Sequence, residues 1–472
     1  MFLIHLIVTL LSDEKAQQNA ASVFCVLSVV ILVKFDNTRF PFIINYSMMK
    51  SLGYIIVVIL IFLSPSCSPN NGKEVKDLRV IDVAGSIGGG RVVNLSEIAT
   101  DIKYIPLETD SNSLIGFAPF IFYENERIYI RFSRIIKVFD KTGKYLFTFD
   151  RRGGGPEEYP SSCLIEIEPE SGNFRAKFLK GDNTVIKTYS REGVFLRDLT
   201  LPGKIQVSKT IKISPNLYMS QFSPQIENEG KEYFAFLYDT LSRIEGYIPT
   251  PTVGVKNYKI KGENSTKIRN RRIYMPDIKI FSYLHSFKNS PRIYTFLADT
   301  IYTYNKENGL VPVYALDYGK YMNEKVTLNS VTPTTGEFIN ISNSFYVETE
   351  NYLLLDFYLR DFAHEPFMGK LIFNFGKIQE RRDAYGLFNK KSGEFTLLNH
   401  PIKDTPGFKD DILNGLPFIP QYVSEEDFAV NIFYPDELID YAANNQVSPE
   451  LKKIIDTLKD TDNPVAVLVK LK

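Results

Sequence analysis

From Arg91 onward, short runs rich in Ile, Val, Tyr, Phe and Thr alternate apolar with polar positions, and Gly, Asn and Asp punctuate them. Alternation with period two puts one face of a strand into a core, so the pattern predicts strands joined by tight turns. One unit recurs. Ile136-Lys137-Val138-Phe139-Asp140-Lys141-Thr142-Gly143-Lys144-Tyr145-Leu146 matches Ile186-Lys187-Thr188-Tyr189-Ser190-Arg191-Glu192-Gly193-Val194-Phe195-Leu196 at a constant offset of 50 residues. An aromatic closes one strand, Gly carries the turn and an apolar strand returns; Gly accepts positive φ without a Cβ clash. Weaker copies lie at Tyr238–Ser242, without the Gly, and at Tyr304–Gly309 and Phe388–Gly393, each with one extra turn residue. A second element, Arg127-Ile128-Tyr129-Ile130, returns as Arg292-Ile293-Tyr294-Thr295. A period near 50 in β-only sequence predicts propeller blades of four strands each. The period does not set the blade number, because later spacings stretch to 67 residues (Ser242 to Gly309) and 84 (Gly309 to Gly393).

The C-terminal part changes period. Ser448 is a good N-cap, Pro449 fits the first helical position and Glu450 favours the positive end of the helix dipole. Leu451, Ile454, Ile455 and Leu458 then mark one apolar helix face. Pro435-Asp436-Glu437-Leu438 reads as the start of another helix, and Val465–Leu471 as a final strand. A helix pair is therefore expected to interrupt the last blade or cap one face of the ring.

Residues 1–66 differ from the rest. Their apolar runs, Met1–Leu11, Ala21–Val33 and Leu52–Leu63, each fall short of the roughly 20 residues a spanning helix needs. The third follows Met48-Met49-Lys50 and ends at Ser64-Pro65-Ser66-Cys67, which resembles a bacterial lipoprotein signal whose lipidated residue is Cys67. The rival is an ordinary signal peptide cleaved near Ser66. On the first reading, residues 1–47 are an upstream extension from a mis-called start, 48–67 the signal and lipobox, 68–90 a flexible tether and 91–472 the propeller. A genuine membrane-associated leader is the alternative for residues 1–47.

Composition narrows the function classes. Lys plus Arg equals Asp plus Glu at 55 each, and the balance survives removal of the leader at 51 against 52, so no nucleic-acid partner is expected. The 63 aromatics are 28 Tyr and 35 Phe with no Trp, which excludes a Trp-Asp repeat propeller and weakens a glycan-stacking reading. Cys163 is the one cysteine in the expected folded body, so no internal disulfide framework forms there. No metal-ligand spacing, nucleophile elbow or phosphate loop occurs, so neither metal nor cofactor is expected. His285 and His364 are candidate general bases, with a structural histidine preferred for each.

Val93-Asn94-Leu95-Ser96-Glu97-Ile98-Ala99-Thr100-Asp101-Ile102-Lys103-Tyr104-Ile105-Pro106-Leu107-Glu108-Thr109 resembles the opening of the six-bladed β-propeller lipoproteins of bacterial envelopes. Phe139–Lys144 followed by Arg152–Tyr159, and the closing Asn463-Pro464-Val465-Ala466-Val467, are similar to further hallmarks of that family. The resemblance implies an all-β fold, a six-bladed β-propeller of four-stranded blades with a short C-terminal helical insertion. It also implies ring closure by a strand within Val92–Leu107 and an envelope address. The family is largely uncharacterised, so no activity comes with it. The neutral Ser68–Gly72 after the lipobox points to a domain facing the periplasm.

Arg151, Arg152, Gly153, Gly154 and Gly155 form the one conspicuous loop, readable as an anion site of guanidiniums and Gly amides. The preferred reading is an inter-blade turn in which Arg pairs with Glu157 or Glu158. Asp460-Thr461-Asp462-Asn463 is read as a turn rather than a Ca²⁺ loop, lacking the remaining ligands. Two functions stand: a monomeric, lipid-anchored binding or scaffold module for a glycan, peptide or protein, and an envelope hydrolase or lyase with a site in the central channel.

Overall fold

The computed structural model describes residues 78–117, 119–203, 205, 207–228, 231–251, 282–295, 299–322, 336–370 and 378–472. Residues 1–47, the signal with Cys67 (48–67) and residues 68–77 of the expected tether lie outside the described residues.

The chain opens with β1 (Arg79–Asp82), a single-turn helix α1 (Leu95–Ile98) and β2 (Ala99–Pro106). Blade 1 is β3 (Phe120–Glu124), β4 (Arg127–Phe132), β5 (Ile135–Asp140) and β6 (Tyr145–Phe149). Blade 2 is β7 (Leu164–Ile167), β8 (Phe174–Lys180), β9 (Asn183–Tyr189) and β10 (Phe195–Pro202). Blade 3 is β11 (Val207–Ser214), β12 (Leu217–Asn228), β13 (Lys231–Asp239) and β14 (Ile244–Pro249). Blade 4 is β15 (Ser282–Phe287), β16 (Ser290–Thr295), β17 (Thr300–Asn305) and β18 (Gly309–Asp317). Blade 5 begins with β19 (Asn340–Glu348) and β20 (Tyr352–Tyr358). A side hairpin follows, β21 (Phe367–Lys370) with β22 (Ile378–Arg381), before β23 (Asp383–Asn389) and β24 (Phe395–Leu397) complete the blade. Blade 6 is β25 (Tyr422–Val423), β26 (Phe428–Phe433), the helices α2 (Pro435–Asn444) and α3 (Pro449–Ile455), and β27 (Val465–Leu471). The protein is a six-bladed β-propeller. Its innermost strands are β3, β7, β11, β15, β19 and β25, and β3 meets β25 where the ring closes.

The six buried apolar clusters among the described residues each lie at one blade–blade interface. Alternation along each strand explains this, because the two faces of a radial sheet pack against different neighbours. In β27, Val465, Val467 and Val469 join Leu354 and Leu387 of blade 5, whereas Ala466 and Leu468 join Ile121 and Ile130 of blade 1. The largest fully buried side chains are all Tyr or Phe, which accounts for the aromatic content.

The five hairpins recognised in the sequence are the connections between third and fourth strands of blades 1 to 5. In each, a side-chain oxygen at the end of the third strand (Asp140, Ser190, Asp239, Asn305 or Asn389) accepts two turn N–H groups at 2.7–3.4 Å. The turn then passes through positive φ: 87° at Gly143, 82° at Gly193, 70° at Gly309 and 75° at Gly393. Ser242, where Gly is missing, takes the same conformation at 67°. Gly143 has a further reason: a Cβ there would lie 2.2 Å from the Pro106 carbonyl oxygen at the end of β2.

Blade 6 has no such hairpin because its fourth strand comes from the other end of the chain. β2 pairs antiparallel with β27, with Ile102 opposite Val469, Tyr104 opposite Val467 and Pro106 opposite Val465. Asn463 ties the junction. Its side-chain amide donates to the Glu108 carbonyl at 2.7 Å and the Ser113 carbonyl at 3.0 Å, and its Oδ1 accepts from Ile115 N–H at 2.9 Å. The turn expected at Asp460–Asn463 is thus part of the closure. The helix pair lies between β26 and β27, with Ser448 Oγ accepting from Leu451 N–H at 3.1 Å and Leu438, Leu451 and Ile455 packed on the blade 5/6 cluster.

The described end of the expected tether is folded. β1 adds as a fifth, parallel strand to β18, and Ile81 and Val83 are fully buried while Val80 is exposed. The alternation of Val80, Ile81 and Val83 is a strand signal that the glycine run masked. Gly90 crosses blade 5 at φ 136°, where a Cβ would meet Asn399 Oδ1 at 2.3 Å.

Candidate functional site

The central channel is the place where all blades present side chains to one another. At one mouth stand the turns between first and second strands. Their residues adopt left-handed backbone: Asn125 and Glu126 in blade 1, Glu170 in blade 2, Lys288 and Asn289 in blade 4, and Asp427 in blade 6. Positive φ at both central residues of the Asn125-Glu126 and Lys288-Asn289 turns matches the right-handed twist of the flanking strands. Glu170 reaches three other blades. Its carbonyl accepts from Asn125 Nδ2 at 2.5 Å, and its carboxylate accepts from Asn289 Nδ2 at 2.7 Å and Lys212 Nζ at 3.1 Å. The Asn289 hydrogen bond is the first cause holding the Glu170 pKa below the usual carboxylate range.

Below this mouth, at the seam between blades 6 and 1, Glu124 is buried and accepts hydrogen bonds from the Tyr422 hydroxyl and, at 3.4 Å, from Glu425 N–H. Burial pushes its carboxyl up to about 7, against those hydrogen bonds. Burial also raises the Glu425 pKa, with Glu170 and Asp427 adding to it.

Between blades 2 and 3, Glu166 Oε2 lies 2.5 Å from Lys177 Nζ, and Glu166 Oε1 accepts from Thr210 N–H at 3.2 Å. Burial draws the Lys177 pKa down to about 8, with Glu166 opposing. At the interface of blades 4 and 5, Glu348 accepts from Arg292 Nε at 2.7 Å, Lys390 Nζ at 2.7 Å, Tyr314 OH at 2.8 Å and Tyr346 OH at 2.6 Å. Burial alone would raise its pKa, but Arg292 and Lys390 outweigh it and the net shift is downward. These ionisable groups are therefore committed to partners, some within a blade and some across a blade interface.

His285 stacks on Tyr294, with ring centroids 5.6 Å apart, and lies 4.9 Å from the Tyr346 ring. Burial, assisted by Lys209, drives its pKa well below the usual imidazole value, so it stays neutral. His364 is remote from the channel, with Nε2 2.7 Å from Asn399 Oδ1 near the side hairpin of blade 5. Neither histidine has a serine or cysteine nucleophile hydrogen-bonded to it among the described residues.

The Arg151–Gly155 loop connects blade 1 to blade 2. Arg151 Nη2 donates to the Gly193 carbonyl at 3.1 Å, and Arg152 forms a bidentate pair with Asp150 at 2.8 and 2.5 Å. Gly155 N–H donates to Glu158 Oε2 at 2.8 Å, and Gly153 N–H to the Tyr159 carbonyl at 3.0 Å. The arginine partner is thus Asp150 rather than Glu157 or Glu158, and Glu158 itself occupies the place an anion would take on the loop amides. Cys67 lies outside the described residues. Among those residues, no group of three or more His, Cys, Asp or Glu has an arrangement able to hold a metal ion.

Sequence reasoning missed the channel carboxylates, although a signal was present. Tyr123-Glu124-Asn125-Glu126, Ile167-Glu168-Pro169-Glu170 and Val347-Glu348-Thr349-Glu350 repeat an apolar-Glu-x-Glu pattern at the first turn of blades 1, 2 and 5. The first Glu of each is partnered inside (Glu124 with Tyr422, Glu168 with Arg175, Glu348 with Arg292), and the second lies at the turn.

The raised Glu124 pKa has a stability consequence. Between about pH 4.5 and 7 the folded protein keeps a proton that the unfolded chain has released, so this group makes stability fall as pH rises through that window. Glu124→Gln stays neutral throughout. Urea denaturation of both proteins should show the variant gaining on the wild type between pH 5 and pH 8, by on the order of 3 kcal/mol. A stability difference that does not change across that range would contradict the assignment.

A profile described as a domain of unknown function (DUF4934) matches residues 78–470, and the chain belongs to that family. A search of the curated proteins finds no match. Among solved structures, a "putative exported protein" from Bacteroides fragilis aligns at a TM-score of 0.53 and 16% identity, covering 84% of this chain and 99% of that one. The same fold is shared. A virginiamycin B lyase from Staphylococcus aureus aligns at a TM-score of 0.28 and 8% identity over 78% of this chain and 99% of that one.

Proposed function

We propose that this member of the DUF4934 family is an extracytoplasmic, lipid-anchored binding or scaffold propeller, whose central channel and first-turn mouth engage a ligand or partner. The observation that carries the reading is that the channel carboxylates are already paired, across blades for Glu124 with Tyr422, Glu170 with Asn289 and Lys212, and Glu348 with Arg292, and within a blade for Glu166 with Lys177 and Glu348 with Lys390. Cross-linked side chains of that kind form a rigid, shaped surface, and rigidity favours binding because little conformational entropy is lost when a ligand docks. The exported relative of the same fold supports the extracytoplasmic address.

An envelope hydrolase or lyase is the second reading. It draws support from Glu124, whose carboxyl titrates near neutrality, the property required of a general acid. A thermal-shift screen of the full chain against oligosaccharides and peptides, with mass spectrometry of the recovered ligand, separates the two. Binding predicts a raised Tm with the ligand recovered intact; a ligand that stabilises and is cleaved contradicts it.

Lipid anchoring is proposed at Cys67, where acyl chains each add about 0.8 kcal/mol of membrane affinity per buried CH₂. Mass spectrometry of the natural protein should find an N-terminal peptide starting at Cys67 with a diacylglyceryl mass. An N-terminal peptide from residues 1–47, or an unmodified Cys67, overturns the anchor.

A further inference from the structure

We propose that Asp356 is a proton-operated latch on the channel wall: protonated, it lets the innermost strand of blade 5 rest on its sheet, and ionised, it drives that strand open. The latch is built on an irregularity in β19. Ile341 pairs with Phe357 and Tyr346 with Leu355, so Ser342, Asn343, Ser344 and Phe345 together face the single residue Asp356. A bulge of this kind leaves its extra residues outside the ladder. The other side of β20 is regular, with Asp356 opposite Tyr385 of β23. Asp356 is therefore fixed by β23 on one side and faces an unladdered segment on the other.

The side chain points into the seam between blades 5 and 6. Leu353, Leu355 and Phe357 pack in the blade 4/5 cluster and Leu354 in the blade 5/6 cluster, so alternation places Asp356 with Leu354. It is 2% exposed, and its Oδ1 has no hydrogen-bond partner. A second carboxylate stands one pair along: Asp383, opposite Tyr358 on the same face. Asp383 holds the guanidinium of Arg381, accepting from Nε at 2.9 Å and from Nη2 at 2.5 Å. Two acids thus share one cation. The other titratable groups facing Asp356 are the hydroxyls of Tyr385, Tyr358 and Tyr294, whose raised pKa values keep them neutral.

A buried oxygen without a partner is costly on a charged carboxylate and much less so on a neutral carboxyl. Burial, then Asp383, raises the Asp356 pKa toward neutrality, against Arg381 and a hydrogen bond with Ser342. Water relieves an ionised Asp356 most readily where the sheet is weakest, at Ser342–Phe345. Two contacts hold that segment. The Tyr294 hydroxyl donates to the Ser342 carbonyl at 3.4 Å, and the Phe345 ring sits edge-on to Tyr385 at 5.0 Å. Lifting it wets the carboxylate from the channel and reshapes the channel wall, while β20 and β23 stay paired. The closed state keeps the proton and the open state releases it, so opening is favoured as pH rises.

The test is hydrogen exchange of the full chain at pH 6 and pH 8, read by mass spectrometry and corrected for the intrinsic pH dependence of exchange. Peptides spanning β19 are expected to lose protection several-fold at pH 8, through an opening smaller than the global one that β27 reports. In Asp356→Asn, neutral at both pH values, β19 protection should be the same at both. Unchanged wild-type β19 protection overturns the latch, as does exchange of β19 only together with β27. A loss at pH 8 that persists in Asp356→Asn also overturns it. If Asp356→Asn does not fold, the wild-type comparison of β19 with β27 still decides.

Discussion

The pairing of β2 with β27 is the constraint on which the propeller depends. Each blade buries its two faces only against neighbours, so an open ring would expose one face of blade 6 and one of blade 1. β2 supplies the missing fourth strand, and Asn463 locks the loop at Glu108–Ile115 to the start of β27 with three hydrogen bonds. Closure also leaves no long unpaired edge at the seam. The Lys472 backbone N–H donates to the Ile98 carbonyl at 3.0 Å, so both ends of the pairing are tied.

Closure brings the innermost strands together and so creates the channel and its charge network. Glu124 meets Tyr422 only because blade 1 sits beside blade 6. Glu170 touches blades 1, 3 and 4 only because the first turns converge at one mouth. The buried pairs, such as Glu348 with Arg292, are weak evidence for stability, because a well-packed apolar replacement is often neutral, whereas removing one partner typically costs about 3–5 kcal/mol. Their clearer effect is orientation. They hold the blades in register and use up the acids that would otherwise be free for chemistry.

Much of the fold was legible because it rests on local rules. Strand alternation, the Asp140-to-Gly143 type of turn, the Ser448-Pro449 helix start and the Val465–Leu471 strand all act within about ten residues. Five hairpins were visible rather than six because the sixth connection does not exist: β27 is followed by β2, from the far end of the chain. The count of six therefore came from the family resemblance. Strand β1 was hidden by the glycine run beside it, although Ile81 and Val83 carry its buried face. The channel groups were less legible. Arg292 and Glu348 are 56 residues apart and meet only across a blade interface, and no spacing rule links them. The apolar-Glu-x-Glu repeat was readable in retrospect, but its meaning required knowing that first turns share one mouth. The Arg151–Gly155 loop stands out because its residues are adjacent, yet Arg152 pairs with Asp150, Arg151 donates to the Gly193 carbonyl and the Gly155 amide is taken by Glu158.

Native-state hydrogen exchange tests closure most directly, because it measures the opening free energy of each strand in the intact protein. The closed-ring account predicts that the β2 amides bonded to β27 exchange only through the same global opening as the central strands of the blades. Exchange of those β2 amides through a local opening far below the global free energy, with the blades still protected, would contradict it.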